Sequence, residues 1–204
     1  LTPKISILKL FLGFLSFILC SPALAATVTW DGSDSVDWAT GANWDTGVAP
    51  TSADDVVIDG AYTNAPTLDL SGGSVTINSL TLGANNASVL TVSNGSSTNQ
   101  LTVTGDVSIG GSGVLEHAAN TDTQVHTLVL QAANLTVDAG GQINVDGKGY
   151  TDEHGPGSPG GLWGGASHGG EGGNDDYRQP VYGSITEPNT IGSGGGDDTA
   201  GYGG

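Results

Sequence analysis

The sequence contains almost no cysteine and very little positive charge. Its single cysteine, Cys20, lies in an apolar N-terminal run, so the rest of the chain cannot form a disulfide, which excludes a small disulfide-stapled domain. Lys and Arg number four against 21 Asp and Glu, and the formal net charge is −17. Because nucleic acids and anionic membranes bind basic surfaces, this balance argues against both as partners.

The N-terminus has the order of a secretory signal peptide, which we predict over residues 1–25. Lys4 and Lys9 precede a short apolar run at 10–20, and small residues follow it up to Ala25. The run is shorter than the about 20 apolar residues that span a membrane. We therefore expect cleavage after Ala25, no membrane-spanning segment in the mature chain, and a protein that is secreted or displayed at the cell surface.

Three regions follow the leader. We predict a Trp-rich N-terminal cap at 26–59, a series of β-helix coils at 60–147, and an irregular glycine-rich segment at 148–204. In the middle region, apolar residues alternate with Thr, Ser, Asn and Asp at a period of two, as in half-buried strands. The sequence begins at Leu1 rather than Met and stops within the glycine-rich segment, which predicts a fragment of a longer protein.

The strand patterns of the middle region repeat in sets of three. The apolar pairs are, in the first set, Val75 and Ile77, Leu80 and Leu82, Leu90 and Val92; in the second, Leu101 and Val103, Val107 and Ile109, then Leu115; and in the third, Leu128 and Leu130, Leu135 and Val137, Ile143 and Val145. Corresponding members lie 25 to 28 residues apart. Three short strands per coil, stacked in register, predict an all-β parallel β-helix.

An earlier, partial coil is indicated by four further apolar residues, Val56, Ile58, Leu68 and Leu70. The competing interpretation of the whole pattern is an antiparallel β-sandwich, which also has short strands with frequent turns. The three-membered repeat favours the β-helix.

Three of the four tryptophans, Trp30, Trp38 and Trp44, lie close together before the coils. A solenoid needs its ends covered, because an uncapped coil exposes both its core and an unpaired strand edge. We therefore interpret the three rings as the apolar plug of an N-terminal cap. The alternative is a platform on which sugar rings stack.

This opening resembles a known group of proteins. The residues that carry the resemblance are Thr29-Trp30-Asp31-Gly32, Asp37-Trp38, Asn43-Trp44, Ala49-Pro50-Thr51 and Asp54-Asp55-Val56-Val57-Ile58. They resemble the start of secreted β-helical surface proteins of bacteria, including autotransporter passengers and adhesin-like proteins. The resemblance covers about 27–147 and implies a right-handed parallel β-helix displayed at, or released from, the cell surface.

The glycine-rich segment supplies the candidate binding residues, which are Tyr150, Trp163, His168, Asp175 and Asp176. Aromatic rings and carboxylates are suited to contact glycans or other cell-surface and matrix components, which are the expected partners. The segment itself resembles glycine-rich tracts of large extracellular proteins. Both a specific irregular loop and a plain flexible linker fit its composition.

Local motifs for catalysis or nucleotide binding are absent from the sequence. Paired carboxylates perform glycoside hydrolysis, but neighbours in a strand, such as Asp54 and Asp55, point to opposite faces. The glycines before Lys148 lack the spacing and the Ser or Thr of a phosphate loop, so no nucleotide is expected. No cofactor is evident. The acidic side chains offer oxygen ligands of the kind that calcium prefers, so the sequence leaves undecided whether the protein binds a metal ion.

The histidines also give little indication of a metal site or a catalytic site. The four, His117, His126, His154 and His168, lack a helical spacing and have no cysteine to join them as metal ligands. Polysaccharide lyases built on β-helices need a Lys or Arg base, and 60–147 contain neither. We therefore expect a non-enzymatic extracellular or cell-surface β-solenoid, structural or adhesin-like. The alternative is a carbohydrate-active β-helix, a hydrolase or lyase, whose catalytic part is incomplete or absent here.

Overall fold

The computed structural model describes residues 25–96, 98–159, 164–173, 179–186 and 190–196. Residues 1–24, which belong to the leader predicted at 1–25, and three candidate binding residues, Trp163, Asp175 and Asp176, lie outside these ranges. The described elements are β1 (Thr27–Thr29), a 3-10 helix (Gly41–Asn43), β2 (Asp55–Ile58), β3 (Thr67–Asp69), β4 (Val75–Ile77), β5 (Ser79–Leu82), β6 (Ser88–Ser93), β7 (Leu101–Ile109), β8 (Gly113–His117), β9 (Leu130–Val137) and β10 (Gln142–Ile143).

The strands stack in parallel as a β-solenoid of about four turns. One sheet contains β1, β2, β5, β7, β4 and β9, and the other contains β3, β6, β8 and β10. The long strand β7 covers two sides of its coil, because its first part pairs with β4 and its second part with β5. The prediction of an all-β parallel β-helix with three strand positions per coil is confirmed, and the antiparallel sandwich is wrong.

The interior consists of apolar columns that run from coil to coil. Residues paired in register share a column: Val28, Val56, Leu80, Val107 and Leu135 in the first, Ile58, Leu82, Ile109 and Val137 in the second, and Leu90, Leu115 and Ile143 in the third. Alternation along each strand turns these side chains inward and leaves the Thr and Ser between them on the walls. Each fully buried member stabilises the fold by about 1.5–3 kcal/mol relative to exposure.

Two positions of the repeat differ from the sequence prediction. In the last coil Leu101 pairs with Leu130 and Val103 with Ala132, so the expected partner Leu128 lies before the strand. In the third coil His117 pairs with Val92 and lies at a core position, 4% exposed. The predicted equivalence of Leu101 and Leu128 was wrong because Ala132 is too small to stand out as an apolar member of the pattern.

Residues before the first coil cover the N-terminal edge of both sheets. Trp30 and Trp44 form an antiparallel bridge, and the Asp45 amide donates to the Thr29 carbonyl over 3.0 Å. Asp37 pairs with Thr67 and so extends the second sheet by one position. Backbone groups that an uncovered edge would leave to solvent are thus bonded within the chain.

The opposite end of the solenoid is uncovered by the described residues. There β9 pairs only with β7, and β10 only with β8. Leu135, Val137 and Ile143 are the last members of their columns and are 46%, 43% and 42% exposed. We call these three residues, with strands β9 and β10, the open end.

One corner between coils depends on glycine. Gly83 has φ +62°, the left-handed region that side chains disfavour, and a Cβ there would collide with the backbone of Gly113 in the next coil. Glycine at this corner therefore lets successive coils approach to the spacing of a hydrogen-bonded ladder.

Candidate functional site

The three N-terminal tryptophans form one cluster. The rings of Trp30 and Trp44 meet edge to face with centroids 4.9 Å apart, and those of Trp38 and Trp44 do so at 4.7 Å. All three side chains are buried, and the Trp44 Nε1 donates to the Trp38 carbonyl over 2.8 Å. Rings enclosed in this way leave no face on which a sugar could stack.

Buried Asn43 holds the loop that carries this tryptophan cluster. Its Oδ1 accepts hydrogen bonds from the amides of Asp34 and Ser35, at 2.9 and 2.7 Å. Its Nδ2 donates to the Ser35 hydroxyl and to the Asp37 carbonyl, both at 2.9 Å. The amide uses its full polar capacity, so it fixes the loop without leaving an unsatisfied buried group.

A groove of about 270 Å³ lies between the tryptophan cluster and the first coils, lined by Asp37, Trp38, Leu68, Asp69 and Val75 among others. The Asp37 carboxylate accepts from the Ala39 amide and the Thr40 hydroxyl, and the Asp69 carboxylate accepts from the Ser71 amide. Hydrogen bonds from Ser71, with a smaller contribution from His126, hold the pKa of Asp69 below its usual value. Both carboxylates thus stabilise local turns at the rim of this groove.

The two carboxylates of the acidic doublet Asp54-Asp55 accept hydrogen bonds from different parts of the chain. Asp54 accepts from the hydroxyl and the amide of Thr51, each at 2.7 Å, and these bonds lower its pKa. Asp55 accepts instead from Asn78 and Ser79 of the next coil, at 2.7 and 2.6 Å. The two carboxylates thus bind different partners, as expected for neighbours that point to opposite faces of a strand.

Two histidines and Asp69 are brought together from different coils. His117 is buried, with its Nδ1 2.8 Å from the Ala118 carbonyl oxygen. The Nδ1 of His126 is buried without a hydrogen-bond partner. Burial lowers the pKa of His126, the nearby His117 lowers it further, and Asp69 opposes both. Sequence reasoning missed this group, although the placement of His117 one repeat after Val92 was a signal for it.

Asn120 orders the corner between the third and fourth coils. Its Oδ1 accepts from the amides of Val125 and His126, at 2.7 and 2.6 Å. Its Nδ2 donates to the carbonyls of His126 and Lys148, at 3.0 and 2.9 Å. This buried side chain makes four hydrogen bonds, as Asn43 does at the other end of the solenoid.

The glycine-rich segment is joined to this corner of the solenoid. The Thr151 amide donates to the Thr121 carbonyl over 3.1 Å, and the Thr151 hydroxyl donates to the Asp122 carboxylate over 2.7 Å. His154 lies 3.5 Å from the same carboxylate. The segment therefore leaves the last coil in a defined direction.

Within the segment, the candidate residue His168 meets Tyr182 edge to face at 4.8 Å, and its Nε2 lies 2.9 Å from the Thr190 hydroxyl. The Tyr182 hydroxyl donates to the Ile191 carbonyl over 2.6 Å and accepts from Ser193 over 2.8 Å. Burial raises the pKa of Tyr182. These bonds hold an irregular but specific arrangement.

Tyr150 lies in another part of the same segment. Its amide donates to the Gly192 carbonyl over 3.0 Å, and its ring lies against Gly155, where a Cβ would contact it. Of the five candidate binding residues, the structure thus describes Tyr150 and His168, and each has contacts within the glycine-rich segment.

Across the described ranges, no three His, Cys, Asp or Glu side chains converge as a metal site. No helix in those ranges is long and apolar enough to cross a membrane.

Comparison with known proteins gives no match: no family model, no curated protein and no solved structure matches the chain. Its functional interpretation accordingly depends on the geometry described above.

Proposed function

We propose that this protein is a non-enzymatic, extracellular β-solenoid that acts as a stiff spacer at the cell surface and presents its glycine-rich segment to partners. The supporting observation is the set of apolar columns that continue through about four coils with a filled interior. The leader predicted at 1–25 supports export, and the resemblance of 27–147 to bacterial surface proteins supports the location.

Stiffness follows from contacts between successive coils. Each coil is bonded to its neighbours by backbone ladders, and side chains on the walls add further links. Asn134 donates to Asp106 over 2.7 Å, and Asn85 donates to Asp59 over 2.7 Å, in each case from one coil to the one before it. A rod held in this way resists bending and keeps its two ends apart.

Contact with partners is assigned to the glycine-rich segment. It is attached at a fixed corner through Thr151 and Asp122, and it carries the aromatic candidates Tyr150 and His168. Aromatic rings near amide and hydroxyl groups suit glycans or other matrix components. The adhesin-like role therefore belongs to this segment and the spacer role to the coils.

The experiment uses the mature chain on a panel of glycans and matrix proteins. We expect binding that falls at least about tenfold in Tyr150→Ala or His168→Ala, a loss of about 1.4 kcal/mol. Thr81→Ala on the solenoid wall is the matched control and should bind as the parent does. Equal binding by all three variants would show that the segment is not the contact.

The carbohydrate-active alternative makes a different prediction for the same protein. It requires two carboxyl groups about 5–9.5 Å apart beside an accessible aromatic ring. The groove beside Trp38 contains Asp37 and Asp69, but the ring is buried and both carboxylates hold turns. Cleavage of any polysaccharide by the parent chain, lost in Asp37→Asn or Asp69→Asn, would replace the spacer proposal by this one.

A further inference from the structure

The corner between the third and fourth coils, residues 118–127, also holds the start of the glycine-rich segment. The Lys148 carbonyl accepts from the Asn120 amide over 3.1 Å and from the Asn120 Nδ2 over 2.9 Å. The Thr121 carbonyl accepts from the Thr151 amide over 3.1 Å. A movement of this corner therefore loosens the attachment of the segment to the solenoid.

His126 is joined to this attachment through its backbone. The Asn120 Oδ1 accepts from the His126 amide over 2.6 Å, and the Asn120 Nδ2 donates to the His126 carbonyl over 3.0 Å. Two of the four hydrogen bonds of the Asn120 side chain thus depend on the position of His126, and a third reaches Lys148. A displacement of His126 therefore disturbs the side chain that holds the Lys148 carbonyl.

The ring of His126 lies where a second proton has no acceptor. Its Nδ1 is buried, and among the described residues it has no hydrogen-bond partner. In the neutral imidazole ring Nδ1 can be the nitrogen without a proton, whereas in the imidazolium ion both nitrogens carry one. Protonation thus creates an unpaired donor and a positive charge in a place shielded from water, and this cost disappears when the corner opens to solvent.

The groups around the ring make the closed corner a poor place for that charge. Burial of the His126 ring lowers its pKa, His117 of β8 lowers it further, and Asp69 at the end of β3 opposes both without reversing the shift. His117 is 4% exposed, and its Nδ1 donates to the Ala118 carbonyl over 2.8 Å. That nitrogen is therefore unable to accept a hydrogen bond from His126.

The charged groups on the segment side of the corner act in the opposite direction. His154 lies 3.5 Å from the Asp122 carboxylate, so a protonated His154 holds the segment more tightly. Their side chains are 43% and 68% exposed, and an ion pair in such surroundings contributes little. Lys148 forms a second pair with Glu116 over 3.2 Å on the adjoining wall. The buried ring of His126 therefore dominates the response of this corner to acid.

We propose that this corner is an acid-sensitive latch, in which protonation of His126 displaces residues 118–127 and releases the start of the glycine-rich segment from the solenoid. At neutral pH, Asn120 and Thr121 hold Lys148 and Thr151; in acid, these backbone groups bind water instead. The release is a property of the fold. Its consequence, control by pH of how the segment is presented to partners, rests on the proposed function.

Proton linkage sets the size and the sign of the response. An open corner in which His126 has its ordinary pKa of 6.5 takes up a proton that the closed corner resists. The closed form is therefore fully favoured above that value and becomes less favoured as pH falls below it. Between about pH 7.5 and 5.0, one such group shifts the equilibrium toward the open form by at most about 30-fold.

The test measures hydrogen exchange of the mature chain at about pH 7.5 and 5.0, with rates corrected for the direct effect of pH on exchange. We expect the protection of the Asn120 and Thr151 amides to fall at least about threefold and at most about 30-fold. The amides of β7 should keep their protection, which distinguishes local release from unfolding of the solenoid.

His126→Gln keeps a polar side chain that does not change its charge, and it should remove the response. His154→Gln is the matched control, because it makes the same replacement on the segment side of the corner and should keep the response. Far-ultraviolet circular dichroism at neutral pH checks that each variant is folded. A nuclear magnetic resonance titration of the parent chain gives the pKa of His126 without any substitution, and we expect it below 6.5.

Glycan and matrix-protein binding, measured in parallel at both pH values, keeps the latch separate from the proposed function. Release in acid by a chain that binds nothing on the panel would contradict the proposed function and support the latch. Unchanged protection of Asn120 and Thr151 in acid would overturn the latch even in a chain that binds. An equal response in His126→Gln and the parent, a loss of protection that includes β7, or a His126 pKa of 6.5 or more would also overturn it.

Discussion

The two ends of the solenoid both contain large apolar side chains, which are buried at the N-terminal end and nearly half exposed at the open end. At the N-terminal end, Trp30 and Trp44 are 2% exposed and the outer strand is bonded on both sides. At the open end, Leu135 is 46% exposed, and among the described residues β9 pairs on one side only. An apolar residue in a column contributes its full stabilisation only when a further layer lies over it, so position along the axis decides its energetic value.

The largest effect is expected from Trp44→Ala in the tryptophan cluster. Trp44 contacts both other rings and donates to the Trp38 carbonyl, so truncation leaves a cavity and exposes a backbone acceptor. We expect the free energy of unfolding to fall by about 3–5 kcal/mol, measured by urea denaturation. Val48→Ala, at a 63% exposed position nearby, should change it by less than about 0.5 kcal/mol. A loss below 1 kcal/mol in Trp44→Ala would show that the rings are not a packed unit.

A matched pair in one column tests the comparison directly. Leu80 and Leu135 occupy the same column, with 1% and 46% exposure. Leu80→Ala should lower the free energy of unfolding by about 2–5 kcal/mol, and Leu135→Ala by less than about half as much. The measurement is urea denaturation of both variants and of the parent chain. Equal losses would mean that Leu135 is as well covered as Leu80.

The buried polar side chains Asn43 and Asn120 allow the two ends of the solenoid to be compared by their hydrogen bonds. Each makes four side-chain hydrogen bonds at its own end. Asn43→Ala and Asn120→Ala should each cost about 1–3 kcal/mol, because backbone donors lose their acceptor in a buried place. Hydrogen exchange should increase around 31–38 in the first variant and around 120–126 in the second. Exposed Asn85→Ala serves as the control, and a smaller loss in either buried variant than in Asn85→Ala would contradict the expectation.

The smallest effect is expected from pH, and it is confined to the end that contains histidine. The pKa of His126 lies below its ordinary value of 6.5, so the unfolded chain takes up a proton that the folded chain does not. The free energy of unfolding should therefore fall as pH decreases from about 7 through 6.5. The lowered pKa values of Asp54, Asp59 and Asp69 contribute stability throughout this range, and that stability is lost only as pH falls below about their ordinary 3.8.

His126→Gln supplies the control for this pH dependence. Urea denaturation at pH 7.5 and 5.5 should show a smaller difference in the variant than in the parent chain. The residues at 26–59 contain no histidine, so the fluorescence of Trp30, Trp38 and Trp44 in the folded protein should stay constant over the same range. An unchanged pH dependence in the variant would remove His126 as its cause.

Local patterns were sufficient to predict the coils. In a parallel solenoid every inward residue of one coil lies above the equivalent residue of the preceding coil. The repeat in the sequence is therefore also the repeat in space. The prediction failed where composition hides that repeat: Ala132 is a small member of a column, and His117 is a polar one. Where Leu, Val and Ile fill the columns, as at Leu80 and Val107, the registers were predicted correctly.

The groove and the histidine group could not be predicted in the same way. Asp69 and His126 lie 57 positions apart (126 − 69), yet each affects the pKa of the other, because the solenoid brings residues of different coils near each other. The corner loops do not repeat along the sequence. Their side-chain contacts depend on the three-dimensional path of each corner, so the sequence pattern does not predict them. The candidates Tyr150 and His168 were chosen by composition alone, and their binding role stays a prediction.

The direction of the hydrogen bonds between coils also determines how this rod responds to tension. In a stacked parallel solenoid those bonds lie along the long axis, so a load on the two ends acts directly on each boundary between coils. Boundaries of unequal strength yield one at a time. A released coil of about 26 residues extends to roughly 90 Å, so the rod lengthens in discrete steps and absorbs work at each one.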